Sequence, residues 1–349
     1  MHITEIDKNF KVPKSVERPG LVWKDAEDTP FRIYGIFREG DLFRRLPEKV
    51  AETVNPGVLG LHANTSGGRV RFCTDSPYIA IHAELDNVCK MDHFAFTGSI
   101  GFDLITGQRH LGTFRPSMEV ENAFESVVDI AEPGARMYTI HFPLYSNVRE
   151  LYIGLHEGAN LYAAPEYTLE KPVVYYGSSI TQGGCASRPG NSYQNLLSAF
   201  LDCNHINLGF SGSAMGEESI AEYIASLDMS AFVYDYDHNA PKAMHLQSTH
   251  MKMFQIIRKA HPKLPILMLT RPKYYINDDE IKRQQIIKET YQSARNAGDE
   301  NVYFISGQDL LVPWARDTGL VDGCHPNDVG FLSMALVLKP VLEQMLHLD

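Results

Sequence analysis

The sequence predicts an α/β fold in two parts, in which an all-β sandwich or jelly roll precedes an α/β/α domain with a five-stranded parallel sheet. Up to about residue 156, short apolar runs alternate with polar residues between turns, which is typical of antiparallel strands. From about residue 172, apolar strands alternate with helical patterns, which is typical of a parallel sheet covered on both faces. The change of pattern divides the chain into domains at 1–165 and 166–349.

Strict alternation identifies the strands of the first domain. Apolar side chains occupy every second position over 79–85, 138–142 and 151–155. The Asn-Thr-Ser-Gly-Gly cluster at 64–68 is one of the turns between strands. A short helix is predicted near 47–54, where the leading proline suits the first helical position. The repeated short strands favour a sandwich or jelly roll.

The second domain repeats a strand, a loop and a helix. The predicted strands cover 173–176, 205–208, 231–234, 266–270 and 302–305. The predicted helices cover about 193–201, 242–260, 279–297 and 328–346. In the first helix the apolar residues fall on one face, which marks a helix packed on the sheet. Pro340 predicts a bend in the last helix.

Composition restricts the function. The formal net charge is −11 and the pI is about 5.7, which argues against binding to nucleic acid or to an anionic membrane. No run of 18 apolar residues marks a membrane span. The five scattered cysteines indicate neither a disulfide framework nor a zinc site. The first residues lack a signal-peptide pattern, so we expect a cytoplasmic protein, or a secreted or periplasmic one if a leader has been removed.

In an open parallel sheet, ligands bind beyond the carboxyl ends of the strands. The first predicted strand is followed by Gly-Ser-Ser-Ile-Thr-Gln-Gly-Gly, in which Ser178 or Ser179 can present a hydroxyl nucleophile. The same letters are also typical of an ordinary tight turn. The loop after the second strand contains Gly212, whose backbone N–H can approach a ligand closely or simply complete a turn.

The third strand leads into Asp237-His238-Asn239. The side-chain amide of Asn239 can donate to a developing oxyanion. Asp237 and His238 can form a catalytic pair, bind a metal or cap a loop. Metal binding is the least favoured, because no further ligands lie at metal-binding spacing.

Asp322-Gly-Cys-His325 lies in a loop before the last helix. With this spacing the carboxylate can accept the imidazole N–H, which fixes the tautomer and leaves the other ring nitrogen free to act as a base. Asn327 follows as the predicted cap of the last helix. An isolated Asp-x-x-His is usually structural, so its weight comes from its combination with the other loops.

The order and spacing of these loops resemble the SGNH (GDSL-like) hydrolase family, whose four sequence blocks contribute Ser, Gly, Asn and His. The resemblance implies a serine esterase that needs no cofactor and no metal. It implies Ser179 as nucleophile and His325 as general base and acid, oriented by Asp322. It also implies three oxyanion donors: the backbone N–H groups of Ser179 and Gly212 and the side chain of Asn239.

The local sequence is closer still to a bacterial subgroup with an N-terminal GxDLY-type β domain. The Tyr-Gly-Ser-Ser-Ile-Thr-Gln-Gly block and the following Ala-Ser-Arg-Pro-Gly are present, and Gly-Phe-Asp-Leu-Ile at 101–105 replaces the signature tyrosine by Ile105. Ser178 stands where the GDSL name has Asp, and Asp-His-Asn-Ala at 237–240 replaces Gly-x-Asn-Asp. These departures leave the implied triad intact and affect the finer hydrogen bonding around it.

Further residues remain open. Arg188, His238 and Arg271 are candidates for substrate binding, although a salt bridge or a loop role serves either arginine equally well. Cys185 and Cys324 lie in loops expected to converge, as adjacent thiols, as a bridge under oxidation or without contact. The remaining candidates are histidines of the first domain that we interpret as surface or structural residues: His82, His93, His141 and His156.

The expected substrate is a small-molecule or carbohydrate ester. Members of the resembled family that carry an N-terminal jelly roll often remove O-acetyl groups from carbohydrate, so we expect a short acyl group on a sugar. A lipase, lysophospholipase or thioesterase activity is the alternative, which the lack of a long apolar lid disfavours. A catalytically silent sugar-binding protein is the alternative from another class. The sequence leaves the oligomeric state open.

Overall fold

The computed structural model describes residues 3–7, 11–132 and 134–348, and it has the predicted two-part α/β architecture. We call residues 21–162 the β region and residues 169–346 the α/β region. The N-terminal stretch behind the cytoplasmic expectation includes residues outside the described ranges. A four-residue helix, α1 (Ile3–Ile6), precedes the β region.

The β region consists of antiparallel strands. Its strands are β1 (Leu21–Asp25), β2 (Arg32–Tyr34), β3 (Phe37–Glu39), β4 (Leu42–Arg44), β5 (Arg69–Thr74), β6 (Tyr78–Leu85), β7 (Phe102–Thr106), β8 (Arg109–Phe114), β9 (Ala123–Asp129), β10 (Arg136–His141), β11 (Val148–His156) and β12 (Leu161–Tyr162). One sheet has the order β1-β11-β6-β9, and the other has β12-β5-β10-β7-β8 with β2 also paired to β5. Strands β3 and β4 form a separate hairpin. Buried side chains of both large sheets share one core, as the period-2 pattern predicts.

Three short helices interrupt the β region, namely α2 (Glu48–Val54), α3 (Pro56–Leu61) and α4 (Phe96–Ser99). The predicted helix near 47–54 is α2, but Pro47 caps it rather than filling its first helical position. The sequence reading missed α3, which begins with Pro56. Buried Ala51 and Val58 belong to the core of the α/β region. The two regions are therefore packed together as well as linked.

The α/β region follows the predicted rhythm. Its strands are β13 (Leu169–Gly177), β14 (Cys203–Gly209), β15 (Ala231–Asp235), β16 (Ile266–Leu269) and β17 (Val302–Ile305). Its helices are α5 (Ser179–Gln182), α6 (Tyr193–Leu201), α7 (Glu218–Ala225), α8 (Ala243–Ala260), α9 (Asp278–Asn296), α10 (Gly307–Leu310) and α11 (Asp328–Leu346). All five strands are parallel, in the order β14-β13-β15-β16-β17. The short helices α5, α7 and α10 were missed, because each has too few turns for a clear period.

The strand order locates the site. The chain leaves β13 towards β14 on one side and later returns to β15 on the other side of β13. Connections that diverge in this way open a crevice at the carboxyl ends of the strands. The loops after β13, β14 and β15 all end at this crevice, and they carry the residues singled out in the sequence.

The last helix, α11, is apolar along most of its length. By length and composition alone it could cross a membrane. In this fold it packs as a core helix, with buried Phe331, Met334 and Leu338 in the same apolar cluster as β13. Pro340 lies within the helix, as expected. Burial of one face against the sheet accounts for the apolar composition.

Candidate active site

Ser179 is the first residue of α5, and Ser178 alone separates it from the end of β13. The turn requires glycine at 177, because a β-carbon there would collide with the Asp235 carbonyl and the Thr181 side chain. Gly183 ends the helix in the left-handed region at φ 97°. The short helix is thus held tightly against the strand ends, with the Ser179 hydroxyl at its N-terminus.

The two adjacent serines have different tasks. Ser178 is fully buried, and its hydroxyl caps α5 by accepting a hydrogen bond from the Ile180 N–H at 3.2 Å. The Ser179 hydroxyl instead lies 2.9 Å from Nε2 of His325. Of the two hydroxyls, that of Ser179 faces an imidazole nitrogen and that of Ser178 faces the backbone of α5.

Asp322 and His325 form a closed local unit. Oδ2 of Asp322 lies 2.8 Å from Nδ1 of His325, and Oδ1 accepts the backbone N–H groups of Cys324 at 3.0 Å and His325 at 2.8 Å. Gly323 allows the tight turn with φ 78°. Partial burial raises the pKa of Asp322, but the hydrogen bonds from His325 and Cys324 outweigh it and lower the pKa to about 2. The carboxylate is therefore ionised at neutral pH.

Hydroxyl, imidazole and carboxylate thus form one hydrogen-bonded chain. With Nδ1–H donated to Asp322, Nε2 carries the lone pair that faces Ser179. Such a chain can remove a proton from the hydroxyl while the carboxylate stabilises the imidazolium that results. Asn327, as expected, caps α11 by accepting from the N–H groups of Val329 and Gly330.

The loops after β14 and β15 are joined to each other. Gly212 has a left-handed backbone, φ 67°, with open space where a side chain would be. Asn239 donates from Nδ2 to the Phe210 carbonyl at 2.9 Å, which fixes the amide and leaves its second N–H for another acceptor. A glycine N–H and an amide N–H held this way are suitable donors for an oxyanion.

Two residues that sequence reasoning did not single out hold these loops in place. Gln182 accepts the Ser211 N–H at 3.0 Å and donates to the side chain of Asn64 at 3.0 Å, so it connects the glycine loop to the β region. Arg45 of the β region is buried and donates to the carbonyl of Gly209 at 2.7 Å. Gln182 lies inside the Ser-Ser-Ile-Thr-Gln motif, which could have drawn attention to it; Arg45 has no comparable sequence signal.

The fully buried Arg45 guanidinium is paired with backbone carbonyls. Its other acceptors include the carbonyls of Asn64 at 2.5 Å and Leu61 and Asn207 at 3.0 Å each. Desolvation by burial lowers its pKa to about 9. Carbonyl dipoles therefore replace a carboxylate partner, and they fix the carboxyl end of β14 beside the candidate oxyanion donors.

The three candidates for substrate contact are engaged within the protein. Arg188 forms an ion pair with the buried carboxylate of Asp103. Arg271 pairs with Asp237 at 3.3 Å and with Glu280 at 3.0 Å, so Asp237 is committed to an ion pair. In the structure both arginines therefore form salt bridges within the protein. A role for either arginine in substrate binding remains a prediction.

The His238 ring is packed beside a cysteine. Its Nδ1 lies 3.6 Å from Sγ of Cys324. Burial, together with the nearby positive charge of Arg271, lowers the pKa of His238 well below its usual range. The ring is neutral at physiological pH, and a contact with substrate remains a prediction.

Cys185 and Cys324 are free thiols, as are the other three cysteines. Desolvation raises the pKa of Cys185 to about 12 and that of Cys324 to about 11. His93, which we interpreted as a surface or structural residue, is exposed, but its ring lies 5.6 Å from the ring of His325 between centroids. No local pattern predicts this contact, because His93 and His325 come from different regions of the chain.

Asp103 of the Gly-Phe-Asp-Leu-Ile segment lies at the boundary of the two regions. Its buried carboxylate contacts Nδ1 of His141 at 3.1 Å and the N–H of Gly190 at 3.0 Å, besides Arg188. Desolvation opposes ionisation, but His141 and Arg188 hold the pKa of Asp103 below its usual range. The signature aspartate therefore fastens the β region to the loop that follows α5.

Comparison with known protein families gives two adjacent matches. The model of the GDSL-like lipase/acylhydrolase family matches residues 170–343. The model described as the N-terminus of SGNH-hydrolase-type esterases, GxDLY, matches residues 21–161. Comparison with proteins of curated function gave no match.

Similar solved structures span both regions. A GDSL-like lipase from Bacteroides ovatus ATCC 8483 is 27% identical with a TM-score of 0.85, over 94% of this chain and 99% of that chain. A salicylyl-acyltransferase from a tetracycline biosynthetic pathway is 20% identical with a TM-score of 0.76, over 94% and 98%. An acetyl xylan esterase from the rumen bacterium Butyrivibrio proteoclasticus is 12% identical with a TM-score of 0.60, over 93% and 99%. The last two share the fold.

Proposed function

Because the chain belongs to the GDSL-like lipase/acylhydrolase family of ester hydrolases, we propose that Ser179, His325 and Asp322 form its catalytic triad. The observation that carries the proposal is the hydrogen-bonded chain from the Ser179 hydroxyl to Nε2 of His325 at 2.9 Å and from Nδ1 to Asp322 at 2.8 Å. The reaction is ester hydrolysis in two steps through an acyl-enzyme.

The first step acylates the serine. Nε2 of His325 takes the hydroxyl proton as Oγ of Ser179 bonds to the ester carbonyl carbon, and the carbonyl electron pair moves to oxygen. As the tetrahedral intermediate collapses, the C–O bond to the alcohol breaks, and the imidazolium gives its proton to the departing oxygen. Asp322 stays ionised and stabilises the imidazolium, in keeping with its low pKa.

The second step returns the enzyme to its starting state. His325 removes a proton from water as the water oxygen attacks the acyl carbon. The imidazolium then protonates Oγ of Ser179 as the acyl–oxygen bond breaks. The products are a carboxylic acid and the alcohol released earlier, and the serine hydroxyl is regenerated.

The proposed oxyanion donors are the N–H groups of Ser179 and Gly212 and the side chain of Asn239. Ser179 is the first residue of α5, and the backbone N–H groups of a first helical turn point away from the helix. The left-handed backbone of Gly212 and the bond from Asn239 to Phe210 support the assignment of the other two. Fixed donors at such a position stabilise charge that develops in the transition state.

For the substrate we propose a short acyl ester, such as acetyl, on a carbohydrate. The similarity to an acetyl xylan esterase supports this class. The formal net charge of −11 disfavours strongly anionic substrates. A neutral acetylated sugar avoids that repulsion. A protein of similar fold is a salicylyl-acyltransferase. Experiments should therefore measure whether the acyl group is transferred to water or to another hydroxyl.

Labelling with a fluorophosphonate tests the triad, and the adjacent serines supply a matched pair of variants. We expect the native protein and Ser178→Gly to be modified at Ser179, since glycine is tolerated at a helix cap. Ser179→Ala should not be modified. Failure of the folded native protein to react, while a known serine esterase reacts in the same tube, contradicts the proposal and favours the silent sugar-binding alternative.

Hydrolysis rates distinguish the substrate classes. We expect kcat/KM for p-nitrophenyl acetate to exceed that for p-nitrophenyl octanoate, and acetate to be released from acetylated xylo-oligosaccharides. Faster hydrolysis of the octanoate ester would favour the lipase or thioesterase alternative. Acyl transfer to an added sugar in preference to water, detected by mass spectrometry, would replace hydrolysis by acyl transfer.

A further inference from the structure

Three potential metal ligands meet at the candidate active site, and the proposed mechanism leaves two of them unused. They are His93 of the β region, Cys185 in the loop after α5, and His325. One donor atom from each residue lies within 4.8 Å of the donor atoms of the other two. Cys185 is buried, His325 is partly buried and His93 is exposed, so the cluster is accessible to solvent on the His93 side.

Both histidines are oriented by a carboxylate. Nδ1 of His325 lies 2.8 Å from Asp322, and Nδ1 of His93 lies 3.3 Å from Asp92. A carboxylate on one ring nitrogen fixes the tautomer and presents the other nitrogen as a ligand, which is the usual arrangement behind a metal-bound histidine.

We propose that His93, Cys185 and His325 form an inhibitory site for a borderline divalent cation, with zinc as the preferred ion. Two imidazole nitrogens and one thiolate match the ligand preference of zinc and are unsuited to magnesium or calcium, which take oxygen ligands. Three protein ligands leave a fourth position of the tetrahedron for water. The site goes beyond the proposed hydrolysis, because it regulates the base without taking part in the reaction.

The cluster can bind the cation with at most a small closure. Zinc–nitrogen and zinc–sulfur bonds of about 2.0–2.3 Å place neighbouring ligands closer together than the 4.8 Å limit of the free cluster. His93 is an exposed side chain and can close the gap by rotation about its own bonds. The cation enters from solvent past this ring, and the carboxylates of Asp92 and Asp322 favour its positive charge.

Occupation of the site competes with catalysis. The Nε2 lone pair of His325 that would accept the Ser179 proton becomes a metal–nitrogen bond, so the serine is no longer activated. The Cys185 thiol releases its proton to solvent as the sulfur–metal bond forms. The S–H bond of Cys185 is the only covalent bond broken, and no atom is oxidised or reduced. A chelator removes the cation, the thiolate takes a proton back from solvent, and the free base is restored.

Cobalt(II) is the direct probe, because it follows zinc into tetrahedral sites and gives visible and near-ultraviolet bands. Added to the intact, metal-free protein without substrate, it should produce a thiolate-to-cobalt charge-transfer band, which zinc then removes. We expect Cys185→Ala to lose this band and His93→Ala to weaken cobalt binding by about 10-fold or more. Cys73→Ala and His110→Ala, at a partly exposed thiol and an exposed imidazole of the β region, should behave as the native protein.

Inhibition provides the second measurement. Zinc chloride should inhibit hydrolysis of p-nitrophenyl acetate, and EDTA should reverse it. His93→Ala, an exposed substitution that should not impair folding, is expected to raise the inhibition constant by about 10-fold or more, relative to its own metal-free rate.

An unchanged cobalt spectrum in Cys185→Ala, or unchanged zinc inhibition in His93→Ala, would overturn the metal site. The cobalt experiment contains no substrate, so it can succeed or fail whatever becomes of the esterase proposal. Likewise, fluorophosphonate labelling of the metal-free protein tests Ser179 without regard to zinc.

Discussion

The Asp322–His325 and Asp103–His141 pairs have similar internal geometry but lie in different places in the protein. Asp322 and His325 lie 2.8 Å apart in one loop, three residues apart and partly exposed. Asp103 and His141 lie 3.1 Å apart at the boundary of the two regions, on neighbouring strands, and both are buried. The first pair faces a serine hydroxyl, whereas the second faces the guanidinium of Arg188.

The function of such a pair therefore depends on its third partner and on its access to solvent. Next to a hydroxyl, the free imidazole nitrogen is a base in contact with solvent. Next to a guanidinium in a dry interface, the carboxylate is balanced by a fixed positive charge, and the pair acts as a fastener. Replacement of each member should therefore affect activity at one pair and stability at the other.

The largest effect is expected from His325→Ala. Loss of the base should reduce kcat by about 10⁶-fold, as in serine hydrolases whose triad acts as a unit, with little change in unfolding temperature. Steady-state hydrolysis of p-nitrophenyl acetate and thermal unfolding measure the two quantities. His141→Ala is the matched control, and it should lower stability while the folded enzyme remains active. Equal losses of activity in the two variants would remove the distinction.

Asp322→Asn should come next. Asparagine can adopt the same position but cannot hold the imidazole in the required tautomer or stabilise its positive charge, so kcat should fall by about 10⁴-fold. The circular dichroism spectrum should match that of the native protein, because the substitution leaves the fold unchanged. A loss below 10-fold would mean that the carboxylate only orients the loop through its bonds to backbone N–H groups.

Asp103→Asn should act on stability. The substitution leaves Arg188 without its counter-charge in a buried interface, which costs about 3–5 kcal/mol in the free energy of unfolding. Urea unfolding measures it. Asp129→Asn, which breaks the exposed pair with Arg18, is the control and should change little. A stable Asp103 variant would show that Gly190 and His141 suffice to hold the interface.

Asn239→Ala tests the surroundings of the Asp322–His325 pair, because it leaves the proposed triad intact and removes one proposed oxyanion donor. We expect kcat to fall by about 100- to 1000-fold, with KM nearly unchanged, since the bond forms fully in the transition state. The same variant should still be labelled by fluorophosphonate, more slowly. An unchanged kcat would mean that the amide serves the Phe210 carbonyl alone.

The smallest effect concerns acid. The pKa of Asp103 is below its ordinary value of 3.8 in the folded protein, so its contribution to stability is complete above pH 3.8 and is lost as the pH falls through the folded pKa. Native stability should therefore decline more steeply below pH 4 than that of Asp103→Asn. Urea midpoints between pH 3 and 6 measure the slopes. Parallel slopes would show that this carboxylate is not the one titrating.

Much of the fold followed from periodicity. The five strands of the parallel sheet and helices α6, α8, α9 and α11 lie where the apolar patterns predict them. The short helices were not predicted, because eight residues or fewer give no clear period: α3, α5, α7 and α10. Helix α2 was expected, but its membership of the α/β core was not, since its Ala51 is buried by partners remote in sequence.

The candidate site divides in the same way. The pairing of Asp322 with His325 is a short-range property, because the spacing and Gly323 alone allow the turn to close. The residues of the turn alone leave the roles of Ser178 and Ser179 open, and only the family resemblance favoured Ser179 as nucleophile. If the turn were displaced by one residue along the chain, Ser178 and Ser179 would exchange their buried and exposed positions. The close packing of Gly177 against Asp235 of β15 sets the position of the turn.

The two periodicities, the order of the loops at the strand ends and the Asp-x-x-His unit could be predicted from the sequence, because they depend on neighbours within a few residues. Only the tertiary structure shows why Ser179 and not Ser178 contacts His325, how Arg45 and Gln182 hold the glycine loop, and that His93 lies beside the ring of His325. Such contacts join distant segments. They depend on how the two regions pack, and no local pattern encodes that packing.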